Sequence, residues 1–411
     1  MNFILYSLNH APELTGIGKY NGELCPELAK RGIQTQVVTA PPYYPEWTIH
    51  HQFRNWWSTK RDDQGVTIYR CPLYIPAKVT TMKRIIHLAS FSVSSALTLC
   101  RLWPQKPDVI FLVQPTLFCA PFTLLFCRLT GAKSVMHIQD YEVDAMFGLG
   151  MVGEGRLKRI TRRMESWLLQ QFDAVSSISY SMLENAKSKG VREEQLFFFP
   201  NWADTEFVTP DVCGKQLRQD WGFSANDKVV LYSGNIGAKQ GLEIVLDAAQ
   251  YFSADPHVKF VIIGNGAYRN TLENSAREKQ LANVVFKPLQ PWEDVPKIMA
   301  MADVHLVVQK RGAADAVLPS KLTNILAAGG HALITAEPQT ELGRIEQQHP
   351  GIYTLAEPEN PAAFIGQLET LLAQDLSTHN AIARQYAEQY LNKHSIIDQF
   401  ITDLRSKFQF C

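Results

Sequence analysis

The feature that most constrains this chain is an alternation that runs along nearly its whole length. Short apolar runs are each followed by a stretch of helical periodicity. Apolar runs separated by helices are how a parallel sheet covered on both faces reads. In the first half the expected strands are Asn2–Leu8, Gln34–Thr39, Val109–Val113, Ser134–Ile138 and Ala174–Ser177. Helical patterns fit Lys19–Arg31 and Leu157–Gln171 between them. A second series follows, with strands at Val229–Ser233, Lys259–Gly264, Val284–Lys287, His305–Val308 and Ala332–Thr335. Its helices fit Leu242–Tyr251, Arg269–Lys279, Trp292–Met301 and Pro319–Ala328.

Two doubly wound series predict an α/β protein of two Rossmann-like domains, and 411 residues suffice for two cores. The join is expected in the polar, proline-bounded segment PNWADTEFVTP, which gives domains 1–200 and 201–380. Residues 381–411 read as a helical tail packing back on the first domain. Two facing α/β domains place a ligand in a central cleft, at the carboxyl ends of their strands.

The balance of 40 Lys and Arg against 40 Asp and Glu gives no global pull toward nucleic acid. Seven scattered cysteines without a C-x-x-C pair argue for a reducing compartment and against a disulfide framework or zinc site. No signal-peptide pattern opens the chain. The segment Ile85–Trp103 is apolar, preceded by Lys83 and Arg84, and broken by His87, serines and Arg101. A buried helix and a basic-flanked helix dipping into a membrane surface both fit it.

Four elements carry the chemistry. PELTGIGKY puts Gly16 and Gly18 just before a helix, where backbone amides favour an anion. A tight structural turn fits it equally, since neither the Walker A nor the dinucleotide spacing is present. LYSGNIGAKQGLE places Gly234, Gly237, Lys239 and Gly241 between strand and helix, like a phosphate cradle with a cation above it. VIIGNGAYRNTLE closes a strand with Gly264 and Gly266. In PSKLTNILAAGG, Pro319 fits the first helical position, Leu322, Ile325 and Leu326 form a buried face, and Gly329 fits the C′ position. Ser320, Lys321 and Asn324 share the other side. A cation in a helix's first turn opposes the dipole, so either Lys321 is a surface lysine tolerated at about 0.3–1 kcal/mol, or Ser320 and Lys321 hold a diphosphate and Asn324 neighbouring hydroxyls.

PPYYPEW, with Tyr43, Tyr44 and Trp47, is rich in rings that either stack on a sugar or pack the loop. RNWWSTKRDD reads as a folded surface patch or an interfacial one. The eleven histidines show no metal-ligand spacing, so no metal is expected.

With these elements in this order, the chain resembles the GT-B glycosyltransferases of family 4, over essentially its full length. TAPPYYPEW, VQPTLFCAP, HIQDYEVDAMFGLG, FFPNW and VVQKRGAADAVLPSKLTNILA point to the bacterial exopolysaccharide branch. The resemblance implies a nucleotide-sugar donor in the second domain and an acceptor in the first. The family's arginine and lysine in the second-domain glycine loop correspond here to Asn235 and Gln240, with Lys239 alongside. The two glutamates of its E-x7-E pattern fall on Ala316 and Asn324. Lys310, Arg311 and Lys321 are the candidates to supply the missing cations, and Asp315 to replace part of the lost carboxylate. The family's acceptor-side histidine falls on Gln139, with His137 on the same strand face. Asp140 or Asp144 is expected at the acceptor hydroxyl, so Asp140, Lys239 and Lys321 form the expected catalytic set.

The implied activity is a retaining transfer to a lipid-linked oligosaccharide in colanic-acid-type exopolysaccharide synthesis. It would use GDP-fucose or another GDP- or UDP-sugar in the cytoplasm, peripherally at the inner membrane face. No cofactor is expected, and the absence of a D-x-D triplet fits a metal-independent enzyme. A GT-B nucleotide-sugar epimerase and a non-catalytic nucleotide-sugar-binding subunit are the alternatives.

Overall fold

A computed structural model describes residues 1–13, 16–44, 46–62, 64–78, 80–141, 156–311 and 319–410, without the side chains of 156–158. The chain divides into two compact units, Met1–Pro200 with Ile397–Cys411, and Asn201–Ile396.

Among the described residues the first unit has eight strands: β1 (Asn2–Tyr6), β2 (Gln34–Thr39), β3 (Ser58–Arg61), β4 (Thr67–Arg70), β5 (Val109–Gln114), β6 (Lys133–Ile138), β7 (Ala174–Ser177) and β8 (Leu196–Phe198). Their order is β3-β4-β2-β1-β5-β6-β7-β8, parallel throughout except for β3 against β4. All six residues of β5, VIFLVQ, are buried, as a central strand covered on both faces requires. By contrast, β3 is fully exposed, and Lys60 and Arg61 give this edge the charge that discourages further pairing. The segment 58–61 of RNWWSTKRDD is therefore an ordered edge strand.

In the second unit the strands are β9 (Lys228–Ser233), β10 (Val258–Ile263), β11 (Val284–Lys287), β12 (Val304–Val307), β13 (Ala332–Thr335) and β14 (Thr354–Ala356). They form an all-parallel sheet in the order β11-β10-β9-β12-β13-β14. Alternation along β9 sends Val229 and Leu231 into one core and Val230 and Tyr232 into the other. The strand order reverses between β9 and β12, which is where a doubly wound sheet opens a crevice at its carboxyl end.

The tail divides later than the sequence suggests. Helix Ala381–Tyr390 belongs to the second unit, because Ala383 and Ala387 are buried in the same core as Leu322 and Leu326. Arg384 fixes this packing by donating to the carbonyls of Ala327 at 2.6 Å and Val208 at 3.0 Å. Residues from Ile397 onward cluster with the first unit. There Phe400 stacks on Phe199 at 4.1 Å and meets Phe111 edge-on at 5.2 Å and Phe3 at 6.2 Å. These rings pack the last helix, Lys393–Phe408, against the first strands of the chain.

Candidate functional site

In the second unit, three of the four singled-out elements converge at the carboxyl ends of β9, β10 and β12. Backbone hydrogen bonds run from Gly234 N to Ile263 O at 2.9 Å, from Ile236 N to Asn265 O at 2.8 Å and from Tyr268 N to Ile236 O at 3.1 Å. These lock the two glycine loops together. A Cβ on Gly264 would lie 1.8 Å from the Gly234 carbonyl oxygen, and one on Gly266 2.1 Å from that of Ile236. Both also have positive φ, 146° and 157°. Close approach of two backbones therefore accounts for these glycines, whatever they touch beyond the protein. Arg269 fastens the same corner, donating to the carbonyls of Gly264 and Lys287 and pairing with Glu273 at 2.7 Å.

The helix after β12 spans Ser320–Ala327 and starts one residue later than expected, with Pro319 at its N-cap. Leu322, Ile325 and Leu326 are buried, and Gly329, at φ 62°, follows the C-cap. Lys321 reaches from its first turn to the end of β9. Its ammonium stands 3.9 Å from the centroid of the Tyr232 ring. It would lie 3.2 Å from a Cβ on Gly234. The residue as a whole is half-buried, and the loss of water around its ammonium lowers its pKa to about 7. Ring contact compensates only part of the hydration an ammonium loses. On the same helix Asn324 Oδ1 is buried with no hydrogen-bond partner among the described residues, and Gln309 Nε2 at the end of β12 is likewise unpaired. Ser320, in contrast, is exposed.

The other expected cations behave differently. Lys310 donates its backbone N–H to Lys239 O at 3.1 Å, and its stem covers Gly241, bringing the two lysines' segments together. Lys239 is exposed, as is Asn235, while Gln240 Oε1 caps Gly237 N at 3.1 Å. Arg311 is not a spare cation. Its guanidinium is ion-paired with Glu357 at 2.9 Å and with Glu337, which together hold its pKa up. Asp315 and Ala316 lie outside the described residues.

In the first unit, Gly16 occupies the N-cap of helix Ile17–Lys30 at φ 56° and is exposed, whereas Gly18 is buried beneath Glu13. The PPYYPEW loop is anchored from below. Glu13 Oε1 accepts the backbone N–H groups of Tyr43 and Tyr44, both at 3.0 Å, and Oε2 accepts from Asn9 at 2.8 Å. Tyr43 is buried with its hydroxyl 3.1 Å from His87 Nε2, and Trp47 packs on both rings. Tyr43 is therefore a packing residue rather than a platform for sugar, and Tyr44 is the exposed ring.

Beside this loop, Arg70 donates to the carbonyls of Ala40 at 2.9 Å and Ala11 at 2.7 Å. Burial pulls its pKa down to about 10 and pushes that of Glu13 up. The Glu13–Arg70 cluster escapes sequence reasoning because its members lie far apart in the chain.

His137 also corrects the sequence expectation. It is buried between the rings of Phe111 and Phe199, with Nδ1 2.9 Å from Ser176 Oγ and Nε2 3.0 Å from the Gln139 amide. Burial lowers its pKa to about 3, so the ring is a neutral core group closed off from an acceptor. Gln139 is partly exposed and Asp140 exposed at the end of β6. Asp144 lies outside the described residues.

Comparison with known proteins agrees with this geometry. Residues 15–202 match the family described as glycosyl transferase 4-like domain, and residues 215–390 match glycosyl transferases group 1. An Escherichia coli protein, named as the colanic acid biosynthesis glycosyl transferase WcaI, is 47% identical over 98% of this chain and 100% of its own. Sucrose-phosphate synthase from Thermosynechococcus elongatus superposes with a TM-score of 0.77 at 16% identity, covering 100% of this chain and 99% of its own. Anabaena HepE, solved with UDP and glucose, gives 0.69 at 17% identity, covering 98% and 99%. At such identities the two structures speak for the fold alone.

Proposed function

The chain belongs to the GT-B glycosyltransferases of family 4, and from that premise we propose that it moves a sugar from a nucleotide-sugar donor to a lipid-linked oligosaccharide. The proposed setting is exopolysaccharide synthesis of the colanic-acid type, at the cytoplasmic face of the membrane. GDP-fucose is the first donor to test, with other GDP- and UDP-hexoses after it.

The observation that carries this reading is Lys321, a desolvated cation at the first turn of a helix and at the sheet's reversal point. A donor diphosphate placed there would restore the ammonium's lost partners and meet the helix's free amides. During transfer the bond from the anomeric carbon to the diphosphate oxygen breaks and one to the acceptor oxygen forms. Charge accumulates on the departing diphosphate, and Lys321 with the helix start stabilises it there. In a retaining transfer the departing phosphate oxygen takes the acceptor proton, so Asp140 serves to position the hydroxyl. Lys239 and Lys310 supply further positive charge beside the glycine loop, while Ser320 and Asn324 offer hydrogen bonds to phosphate and ribose.

Calorimetry with GDP- and UDP-sugars on wild type and Lys321→Ala tests the site. Wild type should bind one nucleotide class, and the variant should bind it at least about tenfold more weakly, as loss of a charge-assisted hydrogen bond implies. Equal affinity would remove the phosphate role. Release of free nucleoside diphosphate only when lipid-linked acceptor is added tests the transfer. Donor binding without turnover would favour a non-catalytic subunit, a reading motivated by Ala316 and Asn324 standing where the family has glutamates.

A further inference from the structure

Three of the polar residues that break the apolar helix Thr81–Leu102 share one helical face and hold loops in place. His87, Ser90 and Ser94 follow one another at spacings of three and four. His87 Nδ1 lies 2.6 Å from the Tyr74 carbonyl, an atom that can only accept, so Nδ1 carries the proton. Burial lowers the pKa of this ring and keeps it neutral, which leaves Nε2 to accept the Tyr43 hydroxyl at 3.1 Å. Ser90 Oγ accepts the Tyr74 N–H at 2.8 Å. Ser94 Oγ donates to the Pro72 carbonyl at 2.6 Å, and its own carbonyl accepts from Trp57 Nε1 at 3.3 Å. Asn55 clasps the backbone of Leu73 with two further hydrogen bonds, at 2.7 and 3.0 Å.

These loops leave one edge of the sheet. Tyr43 and Tyr44 follow the end of β2 at Thr39, and Tyr74 follows the end of β4 at Arg70. Because β3 runs antiparallel and pairs Ser58 with Arg70, the residues just before it lie at the same carboxyl edge. The Arg70 guanidinium, 4.8 Å from the centroid of the Phe53 ring, ties that segment to the end of β4. Three rings emerge there: Tyr44 is 41% exposed, Tyr74 40% and Trp56 66%. Each is fixed from below. Glu13 holds the N–H of Tyr44, Ser90 and His87 hold both backbone groups of Tyr74, and Trp56 stands between the hydrogen-bonded Asn55 and Trp57. Rings held this way have little freedom left to lose on binding.

Their surroundings say what they take. The exposed chain neighbours are Glu46, Arg54 and Asn55, so the rings stand among hydrogen-bonding groups of both charges. A protein partner needs contiguous apolar area. A pyranose offers a C–H face to a ring and hydroxyls to the polar groups beside it. Strands about 4.8 Å apart set β3 about 10 Å from β2 across β4, wider than one sugar ring.

We infer that Tyr44, Tyr74 and Trp56 form a stacking platform for successive sugar rings of an oligosaccharide acceptor, reading the glycan beyond the residue that receives the new bond. The occupant rests on the reading of the chain as a transferase to a lipid-linked oligosaccharide.

Saturation-transfer NMR on the full chain tests it, with short oligosaccharides from a partial hydrolysate of a colanic-acid-type polymer as the probe. In wild type the ring C–H protons of more than one sugar should saturate. The triple variant Tyr44→Ala, Trp56→Ala and Tyr74→Ala should bind at least about tenfold more weakly. Tyr44→Phe with Tyr74→Phe keeps the rings and should stay within about twofold of wild type. Unchanged melting temperatures and nucleotide affinities would show both variants folded. In the transfer assay the triple variant should raise the acceptor KM about tenfold with kcat held, since remote sugars bind alike before and during transfer. Glycan that wild type leaves unsaturated, or that the triple variant binds as well as wild type does, would overturn the inference. So would a wild-type dimer that ignores glycan and is dissolved by the triple variant, which would assign the rings to a second copy of the chain. Donor binding without transfer would instead sink the transferase reading, while glycan saturation still reads the platform directly.

Discussion

The Lys321 ammonium lies 3.9 Å above the Tyr232 ring, and no carboxylate among the described residues pairs with it. The helix and the strand that carry these two side chains bring a desolvated cation to the reversal point of the sheet. Such an arrangement costs stability in the empty protein and is compensated only when an anion arrives.

Lys321→Met should therefore move stability and binding in opposite directions. The thioether fills the same space without a charge to desolvate, so the empty variant should be more stable by about 0.5–2 kcal/mol. Its nucleotide affinity should fall. Thermal melts with and without nucleoside diphosphate measure both, and a variant that melts lower than wild type when empty would contradict this account.

The same group sets a pH dependence. Burial lowers the Lys321 pKa from 10.5 to about 7, so the folded protein binds fewer protons than the unfolded chain between those values. Its contribution to stability thus rises with pH across that window. Nucleotide binding follows the opposite sign, because a bound diphosphate raises the lysine's pKa again. Above pH 7 binding must take up a proton, and affinity should weaken by up to about tenfold per pH unit. Calorimetry in buffers of different ionisation enthalpy reads the uptake directly. Lys321→Met should abolish it.

Arg311 provides a contrast within the same loop. Its guanidinium already pairs with Glu337 and Glu357 on an exposed surface, where water and salt screen ion pairs. Arg311→Ala should change nucleotide affinity by less than about threefold, well below the effect at Lys321, and competition titrations on the two variants decide the order.

The glycine loops should tolerate no side chain at Gly264. An added Cβ would meet the Gly234 carbonyl at 1.8 Å, and two backbones would have to separate. Gly264→Ala should lose about 3 kcal/mol or more, combining overpacking with positive-φ strain. Denaturant unfolding of the variant checks it.

In the first unit, Glu13→Ala removes the acceptor of two loop N–H groups and leaves buried Arg70 without its nearby carboxylate. A loss of about 3 kcal/mol is expected, with Glu13→Gln milder because one acceptor oxygen remains. Urea unfolding of both variants tests the ranking.

Much of this was legible in the sequence, and the remainder was hidden for identifiable reasons. Ten of the strands among the described residues followed from periodicity. The strands β8 and β14, of three residues each, are too brief to show any period, β4 alternates over only four residues, and β3 is polar on both sides. Lys321 stood out because a cation at a helix start conflicts with a local rule. His137 misled because alternation assigns a face without saying whether that face is open, and β6 is covered on both. The partners of Arg311 lie at Glu337 and Glu357, beyond any local window, so its neutralisation could be seen only in three dimensions.

The aromatic stack around Phe400 has a consequence for how the chain is made. Phe3, Phe111 and Phe199 leave the ribosome with the first half of the protein, but the ring that closes their core arrives about 200 residues later. By then every strand of the second unit has emerged. The unit that begins the chain is thus the last to be completed, and a released chain truncated just short of Ile397 would carry all of the second unit and an open first one.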